Sequence, residues 1–106
     1  MKIKKKKFHQ LVDNVIFKIE QCLDNYKGKL DIDYENNGKI LKINLQSKNI
    51  IILTRQEFLK QIWIATEKKG YYFELKKNHW ICKKNKYEIF FFLKKYFIKY
   101  IKEDIF

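Results

Sequence analysis

Residues 30–45, with the sequence LDIDYENNGKILKINL, contain the pattern that decides the fold. Apolar side chains at positions 30, 32 and 34 alternate with carboxylates, and positions 41, 43 and 45 continue the alternation on a second run. A period of two is typical of strands that bury one face. Asparagine and glycine at positions 36–38 supply the positive-φ residues of a tight turn. The stretch therefore predicts an antiparallel hairpin, with Asp31, Asp33 and Glu35 on its polar face.

The segment before this hairpin has the pattern of an amphipathic helix. Apolar residues recur at positions 8, 11, 12, 15, 16, 19, 22, 23 and 26, which is the spacing of one helical face. Gly28 follows at a position suited to the left-handed residue that ends many helices. We therefore predict a helix of about five turns over residues 8–26.

One flank of the predicted helix collects potential metal ligands. At 100° per residue, Asp13, Glu20 and Asp24 lie within about 40° of one another, and His9 lies at the edge of the same stripe. The span 13–35 holds six acidic and three basic residues in a chain that is otherwise strongly basic. If the first strand lies beside the helix, these carboxylates form one acidic ridge. Exposed carboxylates suit weakly bound, partly hydrated cations, whereas a solvated polar face is the simpler interpretation.

The rest of the chain predicts further strands and a closing helix. A polar turn at 46–49, an apolar run at 50–53 and a polar break at 54–57 precede strand-like segments at 59–66, 71–75 and 79–82. A capping-box pattern at 85–88 then opens a helix that continues to about residue 101. The predicted fold class is α+β, a two-layer sandwich with the N- and C-terminal helices on one face of an antiparallel sheet of five or six strands. Residues 1–106 form a single domain in this prediction.

Composition excludes several classes of protein. The 106 residues include 46% hydrophobic and 34% charged residues, so a packed core is expected. No apolar run approaches the roughly 18 residues of a membrane span, and no secretory leader is expected. The sequence lacks glycine-rich phosphate loops, GxSxG, HExxH and clustered Cys and His, so no catalytic residue is predicted. Two cysteines without CxxC spacing fit a reducing cytoplasm.

The net charge of +12 raises an alternative function. Such an excess of lysine, with abundant tyrosine and phenylalanine, is compatible with a small basic nucleic-acid-binding module. Arginine, which recognises phosphate and guanine best, occurs only at Arg55, and the lysine excess is also what AT-biased coding produces. We therefore do not favour nucleic acid as the principal partner.

The segment around Trp63 is a candidate contact surface for a protein. Gln61, Trp63 and Ala65 alternate with Ile62 and Ile64. If the two isoleucines are buried, Trp63 points out of an open sheet face, where an indole ring is suited to protein contact. The opposite register, with Trp63 buried, is equally compatible with the pattern.

Several of these strings, in register and in the same order, resemble bacterial frataxins of the CyaY type. The resemblance runs from about residue 8 to residue 100 and rests on DID at 31–33 with Glu35, RQE at 55–57, QIWIAT at 61–66, GYYF at 70–73 and WIC at 80–82. It implies the two-helix, antiparallel-sheet sandwich predicted above. It also implies a mostly monomeric, cytoplasmic iron-binding protein that modulates the cysteine desulfurase of iron-sulfur cluster assembly, contacts the scaffold machinery and delivers iron.

The resemblance assigns roles to particular residues. It places weakly bound ferrous and ferric iron on the ridge and a protein contact on the sheet. The implied metal-binding residues are Asp13, Glu20, Asp24, Asp31, Asp33 and Glu35, with His9 at the start of the ridge, and the implied partner-binding residues are Gln61 and Trp63. At Gln21, Asn25, Lys27 and Lys29 the chain lacks acids that are common in the family, so we expect a reduced iron capacity. No residue requires ferroxidase activity.

Overall fold

The computed structural model describes residues 3–45 and 49–106. In chain order the elements are α1 (Lys5–Asp24), β1 (Ile32–Asn36), β2 (Ile40–Leu45), β3 (Asn49–Gln56), β4 (Gln61–Ala65), β5 (Gly70–Lys76), β6 (His79–Cys82) and α2 (Ile89–Tyr96). A π-helical turn, Phe97–Ile101, continues α2. The predicted fold class is confirmed, and the sheet has six strands.

The strands form one antiparallel meander in the order β1-β2-β3-β4-β5-β6. The first hairpin pairs Asp33 with Asn44 and Glu35 with Lys42. Gly38 takes a φ of 90° in its turn, and the side chain of Asn37 accepts hydrogen bonds from the backbone of Lys39 and Ile40. The residues that predicted this turn therefore form it, and β1 becomes an edge strand beside α1.

Both helices bury apolar side chains against the same sheet face. Alternate strand residues contribute Leu41 and Ile43 from β2, Leu53 from β3, Ile62 and Ile64 from β4 and Phe73 from β5. The helices add, among others, Phe8, Val12, Ile16, Ile19, Phe92 and Leu93. The other sheet face has no helix over it in the described part of the chain. In residues 3–45 and 49–106, neither helix is both long enough and apolar enough to cross a membrane.

The end of α1 differs from the sequence prediction. The helix begins at Lys5 and ends at Asp24, with right-handed Asn25 at its C-terminal cap. Gly38 is the only glycine with positive φ in the described residues, so the prediction of a left-handed Gly28 is wrong. A side chain at Gly28 would instead collide with the ring of Tyr26. Glycine is needed here for close approach of that ring.

Two other boundaries are also corrected. The polar break predicted at 54–57 is wrong, because β3 continues through Gln56 and pairs with β4 there. The cap of α2 is Glu88, whose carboxylate accepts from the amides of Phe90 and Phe91. Asn85 instead accepts from the amide of Tyr87 within the preceding turn. The first three residues of the predicted turn at 46–49 lie outside the described residues.

Candidate functional site

Helix α1 and edge strand β1 are joined by two side-chain hydrogen bonds. The hydroxyl of Tyr34 donates to Asp24 Oδ1 at 2.8 Å. One helical turn earlier, Asn36 Nδ2 donates to Glu20 Oε2 at 3.0 Å. These bonds hold two carboxylates of the predicted ridge directly beside β1.

The bond to Asp24 also extends the pH range over which Tyr34 stays protonated. The hydrogen bond, assisted by burial and by the charges of Asp24 and Glu20, raises the pKa of Tyr34 to about 12. The phenol therefore remains a donor at neutral pH and occupies one oxygen of Asp24. The second carboxylate oxygen remains available to another ligand.

The strand carboxylates lie on the opposite face of β1. Ile32 and Tyr34 face the helices, so Asp33 and Glu35, which alternate with them, project to the open face. Asp31, just before the strand, is exposed as well. The ridge thus wraps around a sheet edge, with its helical and strand carboxylates on two sides. Within residues 3–45 and 49–106, no three His, Cys, Asp or Glu side chains converge on one metal position.

His9 and Asp13 belong to a different cluster at the start of α1. Arg55 Nη2 donates to Asp13 Oδ1 at 2.6 Å, and Arg55 Nη1 donates to His9 Nδ1 at 3.0 Å. His9 Nε2 in turn donates to Glu57 Oε1 at 2.7 Å. Because a guanidinium can only donate, the contact with Arg55 makes Nδ1 the acceptor and Nε2 the donor. Both nitrogens of His9 are therefore engaged by protein groups.

This cluster joins three elements of the fold. Arg55 projects from β3 toward α1 and is 12% exposed, whereas Glu57 lies in the turn before β4. The hydrogen bond from His9, with the charge of Lys5 in the same direction, lowers the pKa of Glu57 below its usual 4.5. Sequence reasoning noted Arg55 as the single arginine and as part of the RQE string at 55–57, and gave it no structural role. Arg55 follows buried Leu53 by two positions on β3, so both side chains point to the sheet face that the helices cover. This spacing was the signal in the sequence that Arg55 points toward the helix.

Trp63 lies on the open face of the sheet, as the register with buried Ile62 and Ile64 predicts. Its ring is half-buried and packs against Tyr72 of β5, with ring centroids 5.0 Å apart. Trp63 Nε1 donates to Gln61 Oε1 at 2.7 Å, and Gln61 is 7% exposed. The hydrogen bond to the buried side chain of Gln61 therefore fixes the orientation of the indole ring. Tyr72, which is 49% exposed, is the accessible neighbour that sequence reasoning missed.

Together these features define a class: a two-layer α+β domain with carboxylates around one sheet edge and an aromatic pair on an open sheet face. A family model described as a frataxin-like domain matches residues 1–103. The chain therefore belongs to the frataxin family.

A solved structure gives the same assignment. The chain is similar to the frataxin from Psychromonas ingrahamii, whose structure was described as a model for stability modulation within the CyaY protein family. The two are 29% identical, the TM-score is 0.88, and the match covers 96% of this chain and 95% of the other. The recognition made from the sequence is confirmed.

Proposed function

We propose that this protein is an iron-binding regulator of iron-sulfur cluster assembly that modulates a cysteine desulfurase and delivers iron, and that it is not an enzyme. Membership of the frataxin family supports a role related to iron-sulfur cluster assembly in general. The finer assignment is our proposal. It places the protein in the cytoplasm, mostly as a monomer.

The observation that carries the proposal is the junction of α1 and β1. Hydrogen bonds from Tyr34 and Asn36 hold Asp24 and Glu20 beside a strand that displays Asp31, Asp33 and Glu35. Five carboxylates therefore border one narrow edge without being neutralised by the ion pairs found elsewhere in the described residues.

The chemistry of this edge suits iron as cargo. Carboxylate oxygens are hard donors, and iron that keeps several water ligands needs only one or two of them at a time. Exposed carboxylates that do not converge on one metal position favour weak binding and fast release of iron. Asp13 and His9 remain in the proposed metal-binding set, but each would have to give up a contact within the Arg55 cluster. We therefore expect them to contribute least.

The same edge is suited to steer a basic partner. Complementary charge raises association rates, and local carboxylates dominate over distant lysines because the Debye length is about 8 Å at physiological salt. We assign docking of the desulfurase to this edge. The Trp63 face, with Gln61 as its support, is assigned to a second protein contact within the scaffold machinery.

Charge reversal at β1 tests both functions. Asp31→Lys with Asp33→Lys is expected to leave the fold intact, because both side chains face water. Metal uptake measured by calorimetry with Co²⁺, and desulfurase affinity measured by surface plasmon resonance, should both fall about tenfold or more. A matched control is Glu67→Lys with Asp104→Lys, which makes the same change in net charge at exposed positions away from β1. Equal losses in both variants would contradict the proposal.

A further inference from the structure

A groove lined by tyrosine and lysine lies toward the sheet edge opposite β1. It has a volume of about 460 Å³ and runs between β5, the segment before α2, and the α2–π-turn unit. Tyr71 and Phe92 pack against each other in its lining, with ring centroids 4.5 Å apart and ring planes tilted by 55°. Tyr87 and Tyr100, 36% and 39% exposed, present accessible rings at its walls. This concave surface is not used by the proposed iron-dependent function.

Four lysines surround the rings of the groove. Lys95 lies over Tyr87 and Phe91, with Nζ to centroid distances of 5.7 and 5.4 Å. The remaining pairs are Lys69 over Tyr71 at 5.6 Å, Lys68 over Tyr100 at 5.6 Å and Lys99 over Tyr100 at 5.2 Å. A cation-π contact occurs roughly once in 70–80 residues of an average protein. Five of the six cation-π contacts in the described residues therefore lie around this one groove.

The lysines are available to an anion. In residues 3–45 and 49–106, the ion pairs involve other cations, so none of these four ammonium groups is paired with a carboxylate. Burial, and then the nearby charge of Glu67, raise the pKa of Tyr96 at the inner wall. Glu67 is thus an acid close to the inner wall, and the four lysines outnumber it.

We propose that this groove binds single-stranded nucleic acid. Proteins that bind single strands without sequence preference combine a basic groove for the backbone with aromatic rings on which bases stack. Lys68 and Lys69 on one side and Lys95 and Lys99 on the other provide phosphate contacts. Tyr87 and Tyr100 provide the rings, and a base can stack on them when the ammonium groups that lie over the ring faces move onto the phosphates.

An anionic membrane surface is the main competing occupant. Helices that lie on membranes present an apolar, convex face that enters the lipid. Here the exposed rings border a concavity and carry hydroxyl groups, and the ammonium groups rest on ring faces beside them. Flat planar bases with phosphates match this arrangement better than acyl chains do.

Fluorescence anisotropy with a labelled strand of about 12 thymidines tests the proposal near 0.15 M salt, using the full chain. Lys69→Gln with Lys99→Gln should reduce affinity and lower the slope of log affinity against log salt by about 1.4. The matched control is Lys6→Gln with Lys7→Gln, because Lys6 and Lys7 are exposed at the start of α1. Equal weakening by both pairs would show non-specific attraction to net charge and overturn the proposal.

A second pair of variants tests stacking. Tyr100→Leu should weaken the complex about fivefold or more, whereas Phe17→Leu, which alters an exposed ring on α1, should not. Binding of the same protein to phosphatidylserine vesicles is measured in parallel by sedimentation. Retention on vesicles without measurable strand binding would overturn the proposal in favour of a membrane surface, and absence of both would overturn it outright.

Discussion

At the scale of single residues, the Tyr34–Asp24 pair is the most specific feature of the proposed site. A pKa raised to about 12 means that the stabilisation from this hydrogen bond is fully present below pH 10 and is lost as the pH rises through 12. We predict that NMR of the tyrosine ring carbons finds Tyr34 titrating near pH 12. Asp24→Asn should move that titration toward 10, whereas Asp104→Asn should leave it unchanged.

A normal Tyr34 titration in the unmodified protein would contradict this arrangement, because it would mean that Asp24 does not accept the bond. Such a result would also remove the contact that holds Asp24 beside β1. The prediction therefore tests the geometry of the site without requiring a metal or a partner.

Trp63 supplies the second prediction at this scale. Because its ring is half-buried against Tyr72, Trp63→Ala should cost about 1–2 kcal/mol in urea unfolding, less than the roughly 3–5 kcal/mol of a core aromatic. The loss in free energy of binding to the assembly machinery should be larger than this loss in free energy of unfolding. Phe17→Ala, at a ring that is 59% exposed, is the control and should change stability by less than about 0.5 kcal/mol. A loss of 3 kcal/mol or more at Trp63 would show that the ring belongs to the core.

At the scale of elements, Arg55 ties α1 to β3 through Asp13 and His9. Arg55→Lys keeps the charge but cannot reproduce both contacts, so we expect a loss of about 1–2 kcal/mol in urea unfolding. In a double-mutant cycle with Asp13→Asn the two losses should be non-additive. Additive losses would mean that the side chains do not interact in solution.

The junction between α1 and β1 depends on Gly28. Gly28→Ala would displace the Tyr26 ring, which donates to Glu103 and accepts from the amide of Leu30. We expect a loss of about 1–2 kcal/mol in urea unfolding. Gly70→Ala is the matched control, because its added Cβ would meet nothing closer than 3.9 Å and its φ is not positive. Equal effects at both glycines would contradict the role assigned to Tyr26.

These elements show how much of the fold and of the candidate site the sequence alone could predict. Alternation in residues 30–45 predicted the hairpin and the outward strand carboxylates, and helical spacing predicted the flank of α1, because both patterns follow from local periodicity. Gly28 was misassigned because close approach of the Tyr26 ring depends on tertiary packing. The division of the flank into a β1 group and an Arg55 cluster was missed for a related reason. The division depends on which strand each turn of α1 packs against. Contacts between residues distant in sequence decide this packing.

At the scale of the whole molecule, opposite charges occupy opposite edges of the sheet. Carboxylates border β1, whereas the lysine-ringed groove lies toward β5 and β6. A net charge of +12 therefore does not describe the surface to which we assign iron and a basic partner. This segregation allows the two proposals to be tested independently, since the variants at one edge change no residue at the other.

The central claim is that the carboxylates of α1 and β1 form one metal-binding edge. A residue-resolved NMR titration with Co²⁺ as a surrogate for ferrous iron tests it most directly. We predict that amides of Glu20, Asp24, Asp31 and Asp33 broaden or shift first, with Asp13 and His9 responding later. Early changes confined to other surfaces, or the same changes after charge reversal of Asp31 and Asp33, would contradict the claim.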